Sequence, residues 1–238
     1  RSSDLASAWE SLILPSRVRD YAPGMLDELT ATGEAIWSGH GALPGRDGWV
    51  ALHPAGDAPL TLADPTGDEI VPGSLEERLI NVLGAGGAYF TAQLRTLADA
   101  DSEQAVIDAL WQLTWGGRVT NDTFAPLRAL VSGGSQAHKS ARRTPRARLY
   151  RGMALPRQGA PPRPPALGGR WSLLSDPESD PALRATATAS LLLDRYGVVT
   201  RGSVQAEQVP GGFAQMYRIL AGFEEAGPCR RGYVIEKL

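Results

Sequence analysis

Arginine and tryptophan side chains, of types suited to contact phosphates and bases, carry most of the possible chemistry in this 238-residue chain. Between Thr123 and Ser175 there are ten Lys and Arg and neither Asp nor Glu, whereas all 26 acidic residues lie elsewhere with the other 14 basic ones. Arginine makes bidentate contacts with phosphate, and tryptophan can stack on an unpaired base. The stretch is therefore a candidate contact for nucleic acid or for an acidic protein face.

The candidate DNA-binding residues fall into three groups. The first lies in a Pro/Arg-rich linker, for which the alternative is a solvated tether. The second is a Trp with its preceding Arg, for which the alternative is a core anchor of the next module. The third lies on the last module and its hairpin. In order, the candidates are Arg142, Arg143, Arg146, Arg148 and Arg151, then Arg170 and Trp171, then Arg201, Arg218, Arg230 and Arg231.

Metal and thiol chemistry have few candidates. The histidines are His40, His53 and His138, and the one thiol is Cys229. The first two histidines lie on strands expected to pair, so a two-histidine site is conceivable. We favour packing histidines, because protein metal sites usually need three or four ligands. We predict no metal site and no catalytic residue in this chain.

ATP hydrolysis needs a phosphate-binding loop, and the sequence contains neither G-x-x-x-x-G-K-[ST] nor a DExH box. Asp27-Glu-Leu-Thr30 resembles only a fragment of such a box and falls within an amphipathic helix, where we expect solvated carboxylates. We predict that this segment alone is not an ATPase and holds no cofactor. Its single cysteine excludes an internal disulfide, and no apolar run is long enough to span a membrane.

The elements that position these residues follow a pattern that occurs three times: an amphipathic helix followed by a short β-hairpin. We call each copy of this pattern a cassette. Helix and hairpin together are typical of a winged helix, which usually docks nucleic acid or protein. The predicted helices are Pro23–Thr32, Ser102–Trp115 and Gly211–Ala226. Their hairpins are Glu34–His40 with Gly48–His53, Gly117–Thr120, and Cys229–Glu236.

Capping residues and breakers divide the chain into modules. Ser74 begins a capping box, Asp180-Pro181 opens a helix, and Gly227-Pro228 ends one. We predict a mainly α protein with small β-hairpins (α+β), built of tandem winged-helix modules. The predicted boundaries are 1–55 for a winged helix, 56–73 for a linker, 74–130 for a winged helix, 131–170 for a basic linker, and 171–238 for a winged helix.

Six strings in order along the chain give it a specific resemblance. They are Leu26–His40, Gly117–Arg128, Gly169–Leu173, Arg195–Gly202, Gly211–Ala214 and Arg231–Glu236. Together they resemble the C-terminal extension of bacterial Lhr proteins, the large helicase-related superfamily 2 DNA helicases of the actinobacterial type. The resemblance is weakest through 56–73 and 131–168.

That resemblance implies a parent protein that is an ATP-dependent 3′-to-5′ DNA helicase linked to DNA repair. ATP and Mg²⁺ would bind its motor domains, which lie before this segment. The resemblance implies three partners: DNA, the rest of the helicase chain, and further copies of the chain in an oligomer such as a tetramer. No membrane is expected as a partner. Because the sequence opens on Arg1-Ser-Ser-Asp4 without Met, we expect a segment of a larger cytoplasmic protein.

Three functions stay open at the level of sequence. The first is a scaffold for homo-oligomers with auxiliary DNA binding, favoured because Asp27, Glu28 and Glu34 give the first module an acidic helix that repels phosphate. The second is part of a winged-helix DNA glycosylase for uracil or damaged bases, completed by a β-barrel. That family uses Gln-x-Gln or Gln-x-Asp, and Gln205-Ala-Glu207 is the nearest string here. The third is a sequence-reading winged-helix adaptor.

Overall fold

The computed structural model describes residues 3–67, 69–132 and 168–232 of the chain. Eleven α-helices and five strands are assigned within these ranges. The helices are α1 (Ala6–Ala8), α2 (Leu14–Arg17), α3 (Pro23–Ala31), α4 (Ala58–Thr61), α5 (Leu75–Gly84), α6 (Thr91–Leu97), α7 (Glu103–Trp115), α8 (Ala125–Val131), α9 (Pro181–Tyr196), α10 (Arg201–Ala206) and α11 (Gly212–Ala226). The strands are β1 (Asp4–Leu5), β2 (Ala35–Leu43), β3 (Asp47–Pro54), β4 (Val119–Asn121) and β5 (Trp171–Leu173). A π-helical turn at Trp9–Ile13 joins α1 to α2, and a 3₁₀ turn at Ala55–Asp57 precedes α4.

The first sheet is the predicted hairpin with one strand added. Strand β3 lies in the centre, antiparallel to both β1 and β2. Gly45 and Arg46 at the tip have left-handed backbones, which a tight turn requires. Helix α3 and this hairpin confirm the helix and strands predicted for the first cassette.

A single hydrophobic core joins the first hairpin to α5, α6, α7 and α8. Trp37 of β2 is fully buried, with its ring 6.4 Å from Trp111 of α7 and 5.6 Å from Phe124. Strand β2 lies so close to α7 that a Cβ at Gly39 would lie 2.4 Å from the Thr114 carbonyl oxygen. The two cassettes on either side of the predicted 56–73 linker therefore share one hydrophobic core. We call them together the first body.

Strand β4 corrects the prediction of a local hairpin at Gly117–Thr120. It pairs with β5, with Val119 opposite Leu173 and Asn121 opposite Trp171. The Tyr89 and Trp171 backbones exchange two further hydrogen bonds. The partner strand lies about fifty residues away in sequence, so no local turn signal could indicate it. Strand β5, predicted to open the last module, packs in the first core.

The last unit has a small core of its own, formed by α9, α10 and α11. The Asp180 side chain accepts from the Ala182 N–H, which confirms the predicted helix start, and the Thr200 side chain caps α10. Gly227, with φ of 101°, ends α11 as predicted. The predicted hairpin after α11 runs into residues 233–238, which lie outside the described residues.

Helix α4 connects the two cores. Arg184 of α9 donates to the Asp64 carboxylate at 2.7 Å and to the Leu62 carbonyl at 2.9 Å. The Glu178 N–H donates to the Pro59 carbonyl at 2.7 Å. The predicted linker 56–73 therefore contains a short helix on which the last unit packs.

Candidate nucleic-acid interface

The predicted DNA-binding residues separate into three sets in the structure. Arg142, Arg143, Arg146, Arg148 and Arg151 lie outside the described residues. Arg170 and Trp171 lie at the second sheet. Arg201, Arg218, Arg230 and Arg231 belong to the last unit, and all four are exposed. The burial and contacts of the second and third sets are therefore described, and those of the first set are not.

Burial of Trp171 contradicts its predicted stacking on an unpaired base. Only 1% of the residue is exposed, and Trp111 packs edge-on against its ring at 5.6 Å. A ring enclosed in this way has no free face for a base, so Trp171 acts as a core anchor.

Arg170 is engaged within the chain, although about half of its side chain is exposed. Its backbone N–H and its Nε each donate to the Asp122 carboxylate at 2.6 Å. This pair holds the turn before β5 against the end of β4. Much of the charge of Arg170 is therefore compensated before any phosphate approaches.

Two aromatic rings of α11 lie between an arginine of α10 and an arginine that follows α11. We call these residues, Arg201, Phe213, Tyr217 and Arg231, together with the neighbouring Arg218, the α11 ladder. Arg201 lies over the Phe213 ring at 5.5 Å, Phe213 and Tyr217 are 6.0 Å apart, and Arg231 lies over the Tyr217 ring at 5.4 Å. Cations over ring faces attract the ring quadrupole. The ladder thus orders two guanidinium groups on one side of a helix.

Helical spacing explains why the ladder is accessible. Phe213 and Tyr217 are four residues apart and share a face, whereas Met216 points into the core and is fully buried. Tyr217 is 44% exposed, although it follows Met216 in an apolar stripe of the helix. Arg218 lies next along the helix and is exposed. The sequence does not predict the ladder, because an apolar stripe of this width on a helix is typical of a buried face.

Two carboxylates modulate the charge of the ladder. The backbone N–H and guanidinium of Arg231 lower the pKa of Glu224, so this carboxylate is ionised and compensates Arg231. Glu207 is directed to α9 instead. Burial alone would raise the pKa of Glu207, but hydrogen bonds from Tyr196 at 2.7 Å and Arg195 at 2.6 Å lower it. Arg201 and Arg218 therefore supply most of the uncompensated positive charge at the ladder.

The two predicted neighbouring histidines form a hydrogen-bonded chain. The Nε2 atoms of His40 and His53 lie 2.9 and 2.8 Å from the Ser38 hydroxyl, and His53 Nδ1 lies 2.8 Å from the Thr61 hydroxyl. His53 is buried. Both imidazoles are thus engaged in packing contacts that tie the hairpin to α4. Within the ranges that the structure describes, no group of three or more His, Cys, Asp or Glu could hold a metal ion.

The acidic helix α3 is partly neutralised inside the chain, which corrects the expectation of solvated carboxylates. The Asp27 carboxylate accepts from the Phe124 N–H at 2.9 Å and from Arg128 at 3.3 Å. Arg128 also donates to Glu10 at 2.8 Å, and the Tyr21 hydroxyl donates to the same carboxylate. Burial and Glu10 raise the pKa of Tyr21. Arg128, which sequence analysis placed in the basic run, thus anchors α8 to the first module.

Two further carboxylates, Glu28 on α3 and Glu34 just after it, are exposed, as are Met25 and Leu29 on α3. This helix presents apolar and acidic groups together, a surface that repels phosphate.

No helix in the described ranges combines the length and apolarity required to cross a bilayer.

Comparison with known proteins identifies two segments of the chain. Two family models, both described as the winged-helix domain of the large helicase-related protein, match residues 5–55 and 178–238. The first match is to the third winged-helix domain of that protein, and the second is to the fourth. Residues 74–130 therefore lie between these two domains.

Two curated relatives align with 98% of the chain. A Mycolicibacterium smegmatis protein named "Lhr helicase/ probable uracil glycosylase" is 48% identical, and an Escherichia coli protein named "Lhr helicase/uracil glycosylase" is 43% identical. The chain spans 16% of the length of each. These matches confirm the predicted resemblance and the α+β fold class with tandem winged-helix modules.

Proposed function

Since the chain belongs to the large helicase-related (Lhr) family, we propose that it is a non-motor scaffold segment that also binds DNA through its last unit. The parent protein would be an ATP-dependent DNA helicase acting in DNA repair. ATP and Mg²⁺ would bind elsewhere in that protein. The names of the relatives refer to proteins about six times longer than this chain.

The observation that supports DNA binding is the α11 ladder. Guanidinium groups ordered over rings lose little side-chain freedom when they bind phosphate, and their planes can stack on unpaired bases. Phosphate contacts carry no sequence information. The proposed binding is therefore independent of sequence and sensitive to salt.

We expect the double variant Arg201→Gln/Arg218→Gln to bind DNA at least about a hundredfold more weakly than the unchanged chain, because two hydrogen bonds to charged groups are lost and each contributes roughly 1.5–3 kcal/mol. Fluorescence anisotropy with a labelled duplex carrying a 3′ single-stranded tail would measure this. The matched control is Arg19→Gln/Arg95→Gln, which removes the same charge from exposed residues of the first body. An equal loss in both variants would show that overall charge, rather than the ladder, governs binding.

The scaffold part of the proposal involves self-association through α3. Met25 and Leu29 are one helical turn apart and 43% and 42% exposed, on a helix whose Asp27 is already paired inside the chain. Exposed apolar groups beside carboxylates suit a protein partner better than DNA. A further copy of the chain is the partner we propose.

Light scattering across a range of protein concentrations should detect a multimer of the chain. Met25→Ser/Leu29→Ser should shift the mass toward the monomer, because it removes the apolar contact without changing charge. Leu97→Ser is the control, since Leu97 is 55% exposed on a different helix. A monomer at every concentration would contradict self-association by this segment.

The glycosylase alternative has less support in this chain. Gln205 and Glu207, the nearest match to the expected motif, lie on and just after α10, and the Glu207 carboxylate is held by Arg195 and Tyr196. A carboxylate so engaged is poorly placed to activate a water molecule at a sugar carbon.

A further inference from the structure

We propose that the groove between α10 and α11 receives one unpaired base of single-stranded DNA. This inference rests on the DNA contact proposed above and adds the ligand that the site selects. It follows from the shape of the groove, the backbone that forms it, and the side chains that line it.

The groove has the size of a small-molecule site and an apolar floor. Its volume is about 460 Å³, within the range of roughly 300–1,000 Å³ typical of ligand pockets. Val204 and Val209 form the floor and are 1% and 9% exposed. Such a floor suits a flat, weakly polar ring.

Unusual backbone conformations keep the groove open at the α10–α11 turn. Gln208 has φ of 50°, which is uncommon for a residue with a side chain, and Gly212 has φ of 59°. Gly212 lines the groove, and a Cβ placed there would have no atom within 4 Å. The bare backbone at this point therefore borders open space that a ligand ring can enter.

The lining side chains match the parts of a nucleotide. Gln205 and Gln208 are exposed at the groove, and each amide offers both donors and an acceptor for a base edge. Arg201 lies over Phe213 at the rim and offers its guanidinium plane for stacking and its N–H groups for phosphate. None of the groove-lining residues is acidic. The charge at the rim therefore favours an anionic ligand.

An unpaired base fits this groove better than a duplex. In a duplex the ring faces are stacked on their neighbours, and only the base edges are reachable from the grooves. A single strand presents both ring face and edge, as stacking platforms require. The groove adjoins the α11 ladder through Arg201 and Phe213, so a backbone that follows the ladder brings its bases to the opening.

The test compares binding of the 238-residue chain to labelled oligothymidine and to an oligonucleotide of equal length built of abasic sites. We expect oligothymidine to bind about tenfold more tightly, since an abasic strand can neither stack at the groove nor accept and donate hydrogen bonds to the Gln205 and Gln208 amides. Gln205→Ala/Gln208→Gly removes both amides, so this preference should fall below about threefold while affinity for the abasic strand is kept. Alanine suits the helix, and glycine suits the left-handed backbone of residue 208.

The control Gln104→Ala/Gln112→Ala removes two exposed amides from α7 and should leave the preference unchanged. Equal binding of both oligonucleotides by the unchanged chain would overturn base recognition while leaving DNA contact intact. Binding of neither would overturn both proposals. A preference that persists in Gln205→Ala/Gln208→Gly, with its helical circular dichroism intact, would exclude this groove as the base site.

Discussion

Replacing Trp37 by alanine should lower the free energy of unfolding of the first body by about 4 kcal/mol, because truncating a buried Trp costs roughly 3–5 kcal/mol. The residue is fully buried between Trp111 and Phe124. Its Nε1–H donates to the Asn121 carbonyl at 2.9 Å, and its own carbonyl accepts from the Thr120 hydroxyl at 2.7 Å. The variant therefore loses ring packing across the junction between the hairpin and β4, together with one hydrogen bond.

Urea denaturation followed by circular dichroism would measure the change. Trp49→Ala is the matched control, because this ring lies on the neighbouring strand and is 40% exposed. Its effect should be below about 1.5 kcal/mol, the order expected where little surface is buried. If both variants lost the same stability, Trp37 would not be the centre of a core shared by the two cassettes.

Replacing Arg128 by alanine should cost about 2–4 kcal/mol, because it leaves two partly buried carboxylates without their cation. Glu10 and Asp27 both accept hydrogen bonds from this guanidinium, and the Glu10 side chain is only 15% exposed. The loss should be smaller than for a fully buried pair, since about 29% of the Arg128 and Asp27 side chains is exposed.

A double-mutant cycle of Arg128→Ala with Glu10→Gln isolates the pair from the packing of the arginine stem. We expect a coupling energy of about 1–3 kcal/mol, within the range for contacting charged residues. Arg95→Ala, on an exposed site of α6, is the control and should be nearly neutral. A coupling energy near zero would mean that α8 is held to the first module by apolar contacts alone.

Features encoded by neighbouring residues could be predicted from the sequence. Ser74 and Ser102 accept hydrogen bonds from the N–H groups three residues on, and Gly227 takes the left-handed conformation that ends α11. Capping depends on residue types within one helical turn, so these helix ends are visible without tertiary structure. The hairpin of β2 and β3 is likewise encoded by its own turn.

Features that depend on distant partners could not be predicted. Strand β4 pairs with β5 across a long intervening segment, and that pairing buries Trp171, for which the sequence left both a core position and a DNA contact open. Arg128 counted as part of a basic run until the fold placed Glu10 and Asp27 beside it. A run of like charges in the sequence indicates a charged surface, but only the fold shows which of those charges are paired within the chain.

The candidate site was predicted in part. Arg201 and Arg231 were named from their position in a winged-helix module, but the sequence did not single out Phe213 and Tyr217, which belong to the apolar stripe of α11. Helical periodicity places both rings on one face and cannot say whether that face is covered. Cation–ring contacts with residues 12 and 14 positions away in sequence supplied the missing information.

The salt dependence of DNA binding by the unchanged chain and by Arg201→Gln/Arg218→Gln tests the central claim most directly. The logarithm of the association constant should fall linearly with the logarithm of salt concentration, with a slope shallower by about 2 in the variant, because each lost phosphate contact removes about 0.9 from the slope. Parallel lines for the two proteins, or binding that is insensitive to salt, would contradict DNA contact through the α11 ladder.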